Sequence, residues 1–390
     1  LDRALWALLA FRVLRSIAAG LITIAFPYLV LRDAGLSTLT LGFLYTIAAI
    51  ATAVLGLLTG ILADVWGRRS TLLLVGLTLP LSAALVYAGR GTTLLFAAAA
   101  VGGYSATGSL MGGGVGGAAQ PIQTAIIASL VPSSRRTRYF AVFTFVSGLA
   151  AALGALAARL VSTRDAFLLA AAISGISVLF VAPFRVPEVK GDIRRLDSLR
   201  VIGQFSLTGL LNGFTQGLIT PFLIPFFLLV YGVSKDRMAT YGFLAGAIAS
   251  FALLAAPLLD RKLGFVRAIV FTRGAGAVLV AALPIVRGLK LALGIYLVIP
   301  ALRVVALPGQ QRALTDMIGA DETGRALGVN QVTRLAASSG AVSLTGLLFS
   351  EGDFVAPFLL YAAIMGANLY LYTRFFGRSE AQFAAGRSRD

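Results

Sequence analysis

Twelve long apolar segments, separated by short polar breaks, run along the chain. In lipid the backbone must satisfy its own hydrogen bonds, so runs of about 20 apolar residues predict membrane-crossing helices, not the short alternating strands of a barrel. The pattern therefore predicts an all-α integral membrane protein. The segments, called spans 1 to 12, cover residues 5–31, 39–63, 70–89, 93–129, 138–162, 164–185, 201–231, 236–259, 266–286, 289–315, 325–349 and 353–376.

Composition agrees with the pattern and narrows the chemistry. The chain is 58% hydrophobic and 13% charged, and it contains neither cysteine nor histidine. A Cys/His metal site, a disulfide and thiol or imidazole catalysis are thereby excluded. No nucleophile–base pair or metal-ligand cluster is evident at one depth, so we expect no enzyme activity, no cofactor and no bound metal.

The basic residues are distributed unequally between the two sides of the predicted bundle. Of 33 Lys and Arg, 20 lie at the termini and in the loops that follow even-numbered spans, and seven lie in the opposite loops. By the positive-inside rule, we expect a multi-pass protein of the cell membrane with both termini cytoplasmic. The formal charge of +17 is then mainly a topology signal. We expect lipid and a small molecule as partners, no nucleic acid, and a monomer.

An internal repeat divides the spans six and six. The most polar internal stretch separates spans 6 and 7, and motifs in the first half have copies in the second. We predict an N-terminal six-helix bundle (1–185), a cytoplasmic linker (186–200), a C-terminal six-helix bundle (201–376) and a cytoplasmic tail (377–390). The copied positions are Gly60, Asp64, Gly67, Gln123 and Arg138, paired with Ala256, Asp260, Gly264, Gln310 and Arg325.

The loop between spans 2 and 3 reads "GILADVWGRRS" and carries a specific motif. It resembles the signature of the major facilitator superfamily, matched at Gly60, Leu62, Ala63, Asp64, Gly67, Arg68 and Arg69. The resemblance implies two pseudo-symmetric bundles, a transport function, and a conformational latch that this loop forms on the cytoplasmic face when the cavity opens outward. Locally, Asp64 can accept hydrogen bonds at a helix N-terminus and Arg68 can pair with it. The alternative is an ordinary solvated loop that sets topology.

Charged residues inside the spans are the candidates for the cargo site, because each costs about 2.5–3.5 kcal/mol at a helix centre. Arg15, Arg303 and Arg334 lie deepest, and every acidic residue lies in a loop or near a helix end. We expect these arginines to bind an anionic substrate; the alternative is hydrogen bonding to backbone carbonyls in a wet cleft. For Arg12 the sequence leaves both extension to the membrane interface and a functional role open. Arg159 and Arg273 are expected to extend to the membrane interface.

Two amides on span 7 complete the candidate site. Asn212 and Gln216 are four residues apart and share a helix face, so both can orient a polar ligand. Hydrogen bonding between helices is the alternative use of such amides.

These features predict a secondary or facilitative carrier in which two six-helix halves alternate access to a midplane site. The expected cargo is a small organic solute, anionic or amphiphilic. The alternatives are an exporter of hydrophobic drug-like compounds and a non-transporting sensor with the same fold. No group able to titrate lies mid-membrane, so we expect uniport or exchange; the nearest carboxylates are Asp33, Asp316 and Asp353.

Overall fold

The structure, a computed structural model, describes residues 3–89, 91–102, 119–183, 199–308, 310 and 323–387. Helical segments lie on all twelve predicted spans, so the all-α prediction is confirmed. In chain order they are Arg3–Tyr28 with the π-turn Leu29–Asp33 (span 1), Thr38–Trp66 (2), Arg68–Gly76 and Thr78–Ala88 (3), Thr92–Ala100 and Gln120–Leu130 (4), Ser133–Ala157 (5), Asp165–Val181 (6), Leu199–Ile219, Thr220–Phe222 and Leu223–Tyr231 (7), Lys235–Ala252, Leu253–Ala255 and Ala256–Leu263 (8), Phe265–Ala282 (9), Leu289–Val304 (10), Thr323–Ser350 (11) and Ala356–Arg387 (12).

Membrane-crossing character is visible in most of these helices. Within the described residues, eight helices are long and apolar enough to cross a membrane, and they belong to spans 1, 2, 3, 5, 7, 8, 9 and 11. Large apolar side chains such as Leu179, Phe271 and Val278 are exposed on the outer surface. In water such exposure would be costly, and against lipid it is expected.

Proline accompanies two of the helix interruptions within the predicted spans. Spans 3 and 7 were expected to be single helices, but span 3 is interrupted at Leu77 and span 7 at Thr220–Phe222. Pro80 and Pro221 have no N–H, so the carbonyl four residues before each loses its helical donor. Span 10 was expected to reach residue 315; its first helix ends at Val304, residues 307, 308 and 310 are again helical, and residues 309 and 311–315 lie outside the described part. The linker predicted at 186–200 mostly lies outside the described residues, and span 7 begins at Leu199.

The spans pack in two bundles that repeat one contact pattern. Span 1 packs on spans 5 and 6 and span 3 packs on span 6; correspondingly, span 7 packs on spans 11 and 12 and span 9 packs on span 12. Glycines allow the closest approaches. A methyl group on Gly20 would overlap the carbonyl oxygen of Ala151, and one on Gly217 would overlap that of Ser338. Small residues at such crossings let helix backbones touch.

These two crossings are equivalent positions of the repeat. Gly217 follows Gly20 by 197 positions, and Ser338 follows Ala151 by 187. Gln310 likewise follows Gln123 by 187. The structure therefore contains two pseudo-symmetric six-helix bundles, as the fold prediction required.

The turns after spans 2 and 8 show the same equivalence. Gly67 has φ 82° and Gly264 has φ 78°, a backbone region that other residues rarely adopt. Gly264 follows Gly67 by 197 positions. The tight turn predicted at the signature loop is thus present, with its copy in the second half.

Contacts between the bundles lie at the predicted outer side and at mid-depth. Span 2 packs on span 11 and span 5 packs on span 8. Thr46 shares a 2.7 Å hydrogen bond with Ser343, and the Tyr28 hydroxyl donates to the carbonyl of Val233 at 2.6 Å. Lys235 reaches across to the carbonyl of Val161. The described contacts therefore close the predicted outer side of the molecule.

Candidate functional site

A cavity lies between the bundles, where spans 1, 5, 8 and 10 meet. Its walls are almost entirely small or apolar, and they include Gly20, Gly148, Gly246, Pro300 and Val304. The cavity measures about 70 Å³. Sites for drug-sized ligands usually measure about 300–1,000 Å³. The cavity can therefore hold one apolar group, and the rest of a larger solute would have to lie outside it.

Arg12 lies beside this cavity. Its Nε donates to Ser147 Oγ at 2.8 Å, and Ser147 precedes the cavity-lining Gly148. Ser147 in turn donates to the carbonyl of Phe143 at 2.5 Å, which fixes the hydroxyl as an acceptor for the arginine. The Arg12 side chain is 5% exposed. The open question about Arg12 is thereby answered: this arginine is held inside the molecule.

Arg15 is directed away from the cavity, into the N-terminal bundle. Its guanidinium donates to the carbonyl of Gly76 and lies 5.2 Å from the Phe11 ring centroid. The carbonyl of Gly76 receives no helical hydrogen bond, because residue 80 is a proline and has no N–H. Arg15 thus supplies the donor that the interrupted span 3 lacks.

Asn212 and Gln216 are brought together on one face of span 7, as their spacing predicts. They are 7% and 6% exposed, and neither amide group hydrogen-bonds to another described residue. Their polar atoms are not completely enclosed, because neither residue is among those with fully buried unpaired atoms. Both amides are therefore available to a ligand.

Arg334 is part-exposed on span 11, where its backbone packs on Gly213 of span 7, next to Asn212. It follows Ser147 by 187 positions, so it occupies in the second half the place that Ser147 occupies in the first. In the first half, Arg12 of span 1 contacts this position on span 5. In the second half, the arginine is itself at the equivalent position, on span 11.

Arg303 and Arg273 lie inside the C-terminal bundle. Arg303 donates to Thr220 Oγ1 at 2.7 Å and lies 5.8 Å from the Tyr361 ring centroid. Arg273 donates to Gln310 Oε1 at 2.6 Å and is 3% exposed. The expectation that Arg273 extends to the interface was wrong, because Gln310 and an aromatic ring of span 12 offer it partners inside the bundle.

Positive charges gather here without acidic partners. Within the described residues, no carboxylate lies within ion-pair distance of Arg12, Arg15, Arg273 or Arg303. Arg303 and Arg334 are each close enough to Arg273 for its charge to act on them. A low-dielectric interior strengthens such repulsion, so this region favours an added negative charge.

The predicted latch is visible only in part. Gly67 makes the turn, and Arg69 donates to the carbonyl of Ala182 at the end of span 6. Arg68 is part-exposed, and its Nη1 has no partner among the described residues. The surroundings of Gly60 and the side chain of Asp64 lie outside the described part, so their latch role stays a prediction.

The three edge carboxylates are placed differently. Asp33 is exposed, and Asp316 lies outside the described residues. Asp353 precedes the helix of span 12, and its Oδ1 accepts the backbone N–H groups of Val355 and Ala356, both at 2.9 Å. These hydrogen bonds favour the ionised form and lower the pKa of Asp353 below its ordinary value. No cluster of three or more metal-ligating side chains occurs in the described residues.

The structure therefore separates the predicted site residues into three environments. Asn212 and Gln216 share a face of span 7, and Arg334 lies on the adjacent span 11, where its backbone packs on Gly213. Arg15 donates to a carbonyl of span 3, and Arg303 lies inside the C-terminal bundle. Arg12 was left open by the sequence. Its pairing with a serine of span 5 could have been suspected only from the repeat, in which that serine is the equivalent of Arg334.

Comparisons with known proteins agree with this architecture. A family model described as the Major Facilitator Superfamily matches residues 8–339. No curated protein sequence matches the chain closely enough to count as a relative.

Solved structures share the fold at low sequence identity. A mutant of the nucleoside transporter NupG is 13% identical with a TM-score of 0.74, covering 96% of this chain and 100% of its own. The human organic anion transporter MFSD10 is 17% identical with a TM-score of 0.67, covering 95% and 99%. A bacterial homologue of the human lysosomal transporter Spinster, inward-facing and occupied, is 16% identical with a TM-score of 0.74, covering 96% and 97%.

Proposed function

Because this chain belongs to the Major Facilitator Superfamily, we propose that it is a carrier that moves an amphiphilic organic anion by alternating access. Family membership implies transport of small molecules, and it leaves the cargo open. The names of the proteins that share the fold include a nucleoside transporter, an organic anion transporter and a xylose–proton symporter. The cargo must therefore be argued from the residues between the bundles.

The observation that carries the proposal is the set of buried arginines without carboxylates. Arginine cannot escape burial by losing its proton, so a buried guanidinium needs another source of negative charge or of acceptors. Among these arginines, Arg12 lies beside the cavity between the bundles. Arg334, part-exposed on span 11, would offer the solute a second positive charge. Asn212 and Gln216 offer further hydrogen bonds to the same solute.

The apolar cavity supports the proposal that the solute also carries an apolar group. Its walls on spans 1, 5, 8 and 10 offer contact area and few polar groups. A solute with one anionic end and one apolar group would place the apolar group there and direct its charge toward Arg12 or Arg334. A purely hydrophobic compound would bring no negative charge to these arginines.

A ligand screen followed by flux measurement tests the proposal. Medium-chain alkyl carboxylates and sulfonates, each paired with the neutral amide of equal length, would be added to the purified protein while its thermal unfolding midpoint is recorded. We expect the anions to raise the midpoint and their neutral partners to leave it unchanged. Anions that stabilise should then enter proteoliposomes. Binding without flux would favour a sensor, and equal stabilisation by neutral amides would contradict the anion preference.

Alternating access has its own test at the outer contact. The chain lacks cysteine, so Thr46→Cys with Ser343→Cys creates one possible disulfide where two hydroxyl oxygens now lie 2.7 Å apart. Oxidation should stop flux and reduction should restore it, because spans 2 and 11 could no longer separate. The single cysteine variants serve as controls. Full flux through a verified disulfide would contradict the proposed movement.

A further inference from the structure

Among the buried polar side chains of the C-terminal bundle, three on spans 9, 10 and 12 have nitrogen or amide oxygen atoms without partners among the described residues. They are Nη1 of Arg273 on span 9, Nη2 of Arg303 on span 10, and both amide atoms of Asn368 on span 12. The side chains are 3%, 7% and 0% exposed. A buried donor without an acceptor costs about 1–3 kcal/mol, and more if it is charged. Two unpaired donors on guanidinium groups are therefore unusual and need an explanation.

The three groups belong to one surface. Tyr361, Asn368 and Tyr372 are separated by seven and four residues, so they share a face of span 12. The Arg303 guanidinium lies 5.8 Å from the Tyr361 ring centroid, and that of Arg273 lies 5.6 Å from the Tyr372 ring centroid. Asn368, between these tyrosines along the helix, is thus on the face that both guanidinium groups contact. The two arginines are also close enough to repel each other.

The partners already present do not neutralise this charge. Arg303 has the Thr220 hydroxyl and Arg273 has the Gln310 amide oxygen, and both acceptors are neutral. The tyrosine rings offer their negative faces, worth about 0.5–2 kcal/mol each. Within the described residues, no carboxylate is in ion-pair range of Arg273 or Arg303. The two guanidinium groups therefore lack a negatively charged hydrogen-bond acceptor among the described residues.

We propose that spans 9, 10 and 12 enclose a binding site for a small inorganic anion of the chloride type, held by Arg273, Arg303 and the amide nitrogen of Asn368. A monatomic anion accepts hydrogen bonds from any direction, so it suits donors that arrive from three different helices. Its charge offsets the repulsion between the two arginines. The site lies within one bundle, so it can be occupied whether or not the protein transports, and its test is separate from that of the cargo.

The test measures thermal unfolding of the purified full chain in sodium chloride, sodium bromide and sodium gluconate at equal ionic strength. We expect chloride and bromide to raise the unfolding midpoint saturably, and gluconate, which is too large for the site, to leave it low. Arg273→Gln should lose this halide response. Arg15→Gln, which removes a buried arginine with a structural role in the other bundle, should keep it.

Asn368→Asp keeps the test decisive if removal of an arginine prevents folding. The new carboxylate is nearly isosteric and would supply the negative charge within the chain. We expect it to unfold in gluconate at the midpoint that the wild type reaches in chloride, and to show no halide response. The proposal is overturned if the wild type is equally stable in all three salts. It is also overturned if Arg273→Gln and Asn368→Asp respond to halide as fully as Arg15→Gln does.

Discussion

Arg15 donates a hydrogen bond to the carbonyl oxygen of Gly76, which has no helical donor because residue 80 is proline. The Arg15 guanidinium on span 1 thus supplies the hydrogen bond that the Gly76 carbonyl on span 3 lacks. This relationship gives a buried intramembrane arginine a structural role. It also provides a way to separate that role from substrate binding.

Replacing Pro80 should make Arg15 dispensable. Arg15→Gln in the wild-type background removes the charged donor and should lower stability by about 1–3 kcal/mol, the cost of an unsatisfied buried carbonyl. Pro80→Ala restores an N–H four residues after Gly76, so the same substitution should cost less in that background. The four unfolding midpoints of this double-mutant cycle measure the coupling.

A substrate-binding role for Arg15 predicts another result. Arg15→Gln would then cost equal stability in both backgrounds and would weaken ligand binding in both. Additive effects on the unfolding midpoint would contradict the structural role of this arginine.

The glycine crossing between spans 7 and 11 should tolerate no side chain. A methyl group at position 217 would overlap the carbonyl oxygen of Ser338, so Gly217→Ala must move one helix, at a cost of about 1–3 kcal/mol. Gly203→Ala, on the same helix, meets nothing within 4 Å and is the matched control. We expect a lower unfolding midpoint for the first variant and an unchanged or slightly higher one for the second. Equal midpoints would show that the two helices do not touch here.

Removal of the Arg12 or Arg334 charge should weaken anion binding selectively. Arg12→Gln and Arg334→Gln each remove a charge-assisted hydrogen bond, and we expect affinity for an anion found in the screen to fall about 10-fold or more. Arg159→Gln, at an exposed helix end, should bind normally. Titration of each folded variant with the same anion makes the comparison. Indistinguishable affinities in all three would favour the alternative in which these arginines only bond to backbone and hydroxyl groups.

Asp353 should contribute to stability through its charge and not to transport. Its pKa is lowered in the folded state, so its stabilising effect is complete above the ordinary carboxyl pKa and is lost as the pH falls through the folded value. Asp353→Asn keeps an acceptor for span 12 and cannot titrate. We therefore expect the midpoint of this variant to fall less between about pH 7 and about pH 3, with flux unchanged. A loss of pH-driven flux would instead make Asp353 part of proton coupling.

The latch prediction can be tested even though the Asp64 side chain lies outside the described part. Asp64→Asn removes a charged acceptor and should shift the population toward the inward-open state. Single cysteines that replace Ser70 and Asp33, both exposed, report the two faces by their labelling rates. Unchanged rates at both positions would favour an ordinary topology-setting loop.

The sequence predicts the existence and number of the spans well, because apolar length alone decides whether a segment can cross a membrane. It also indicates the repeat, since Gly67 and Gly264 are required by backbone geometry that only glycine adopts easily. Pro80 marks a missing donor, but Pro300 lies inside an uninterrupted helix, so the sequence alone does not reveal which proline interrupts its span.

The direction in which a side chain points could not be read in the same way. Arg12, Arg15 and Arg303 lie in similar apolar contexts, yet their acceptors are a serine hydroxyl, a backbone carbonyl and a threonine hydroxyl. These choices depend on which neighbouring helix leaves an acceptor uncovered, and that is a property of the packed bundle. Arg273 was misjudged for this reason, since its own span does not reveal the Gln310 side chain beside it.

Arg12 and Ser147 of the first half correspond to Gly209 and Arg334 of the second half, at the same offsets of 197 and 187 that relate the glycine crossings. The two bundles therefore share one backbone arrangement, but they carry these guanidinium groups on opposite members of the corresponding helix pair. The pseudo-symmetry of the backbone thus does not extend to the placement of positive charge.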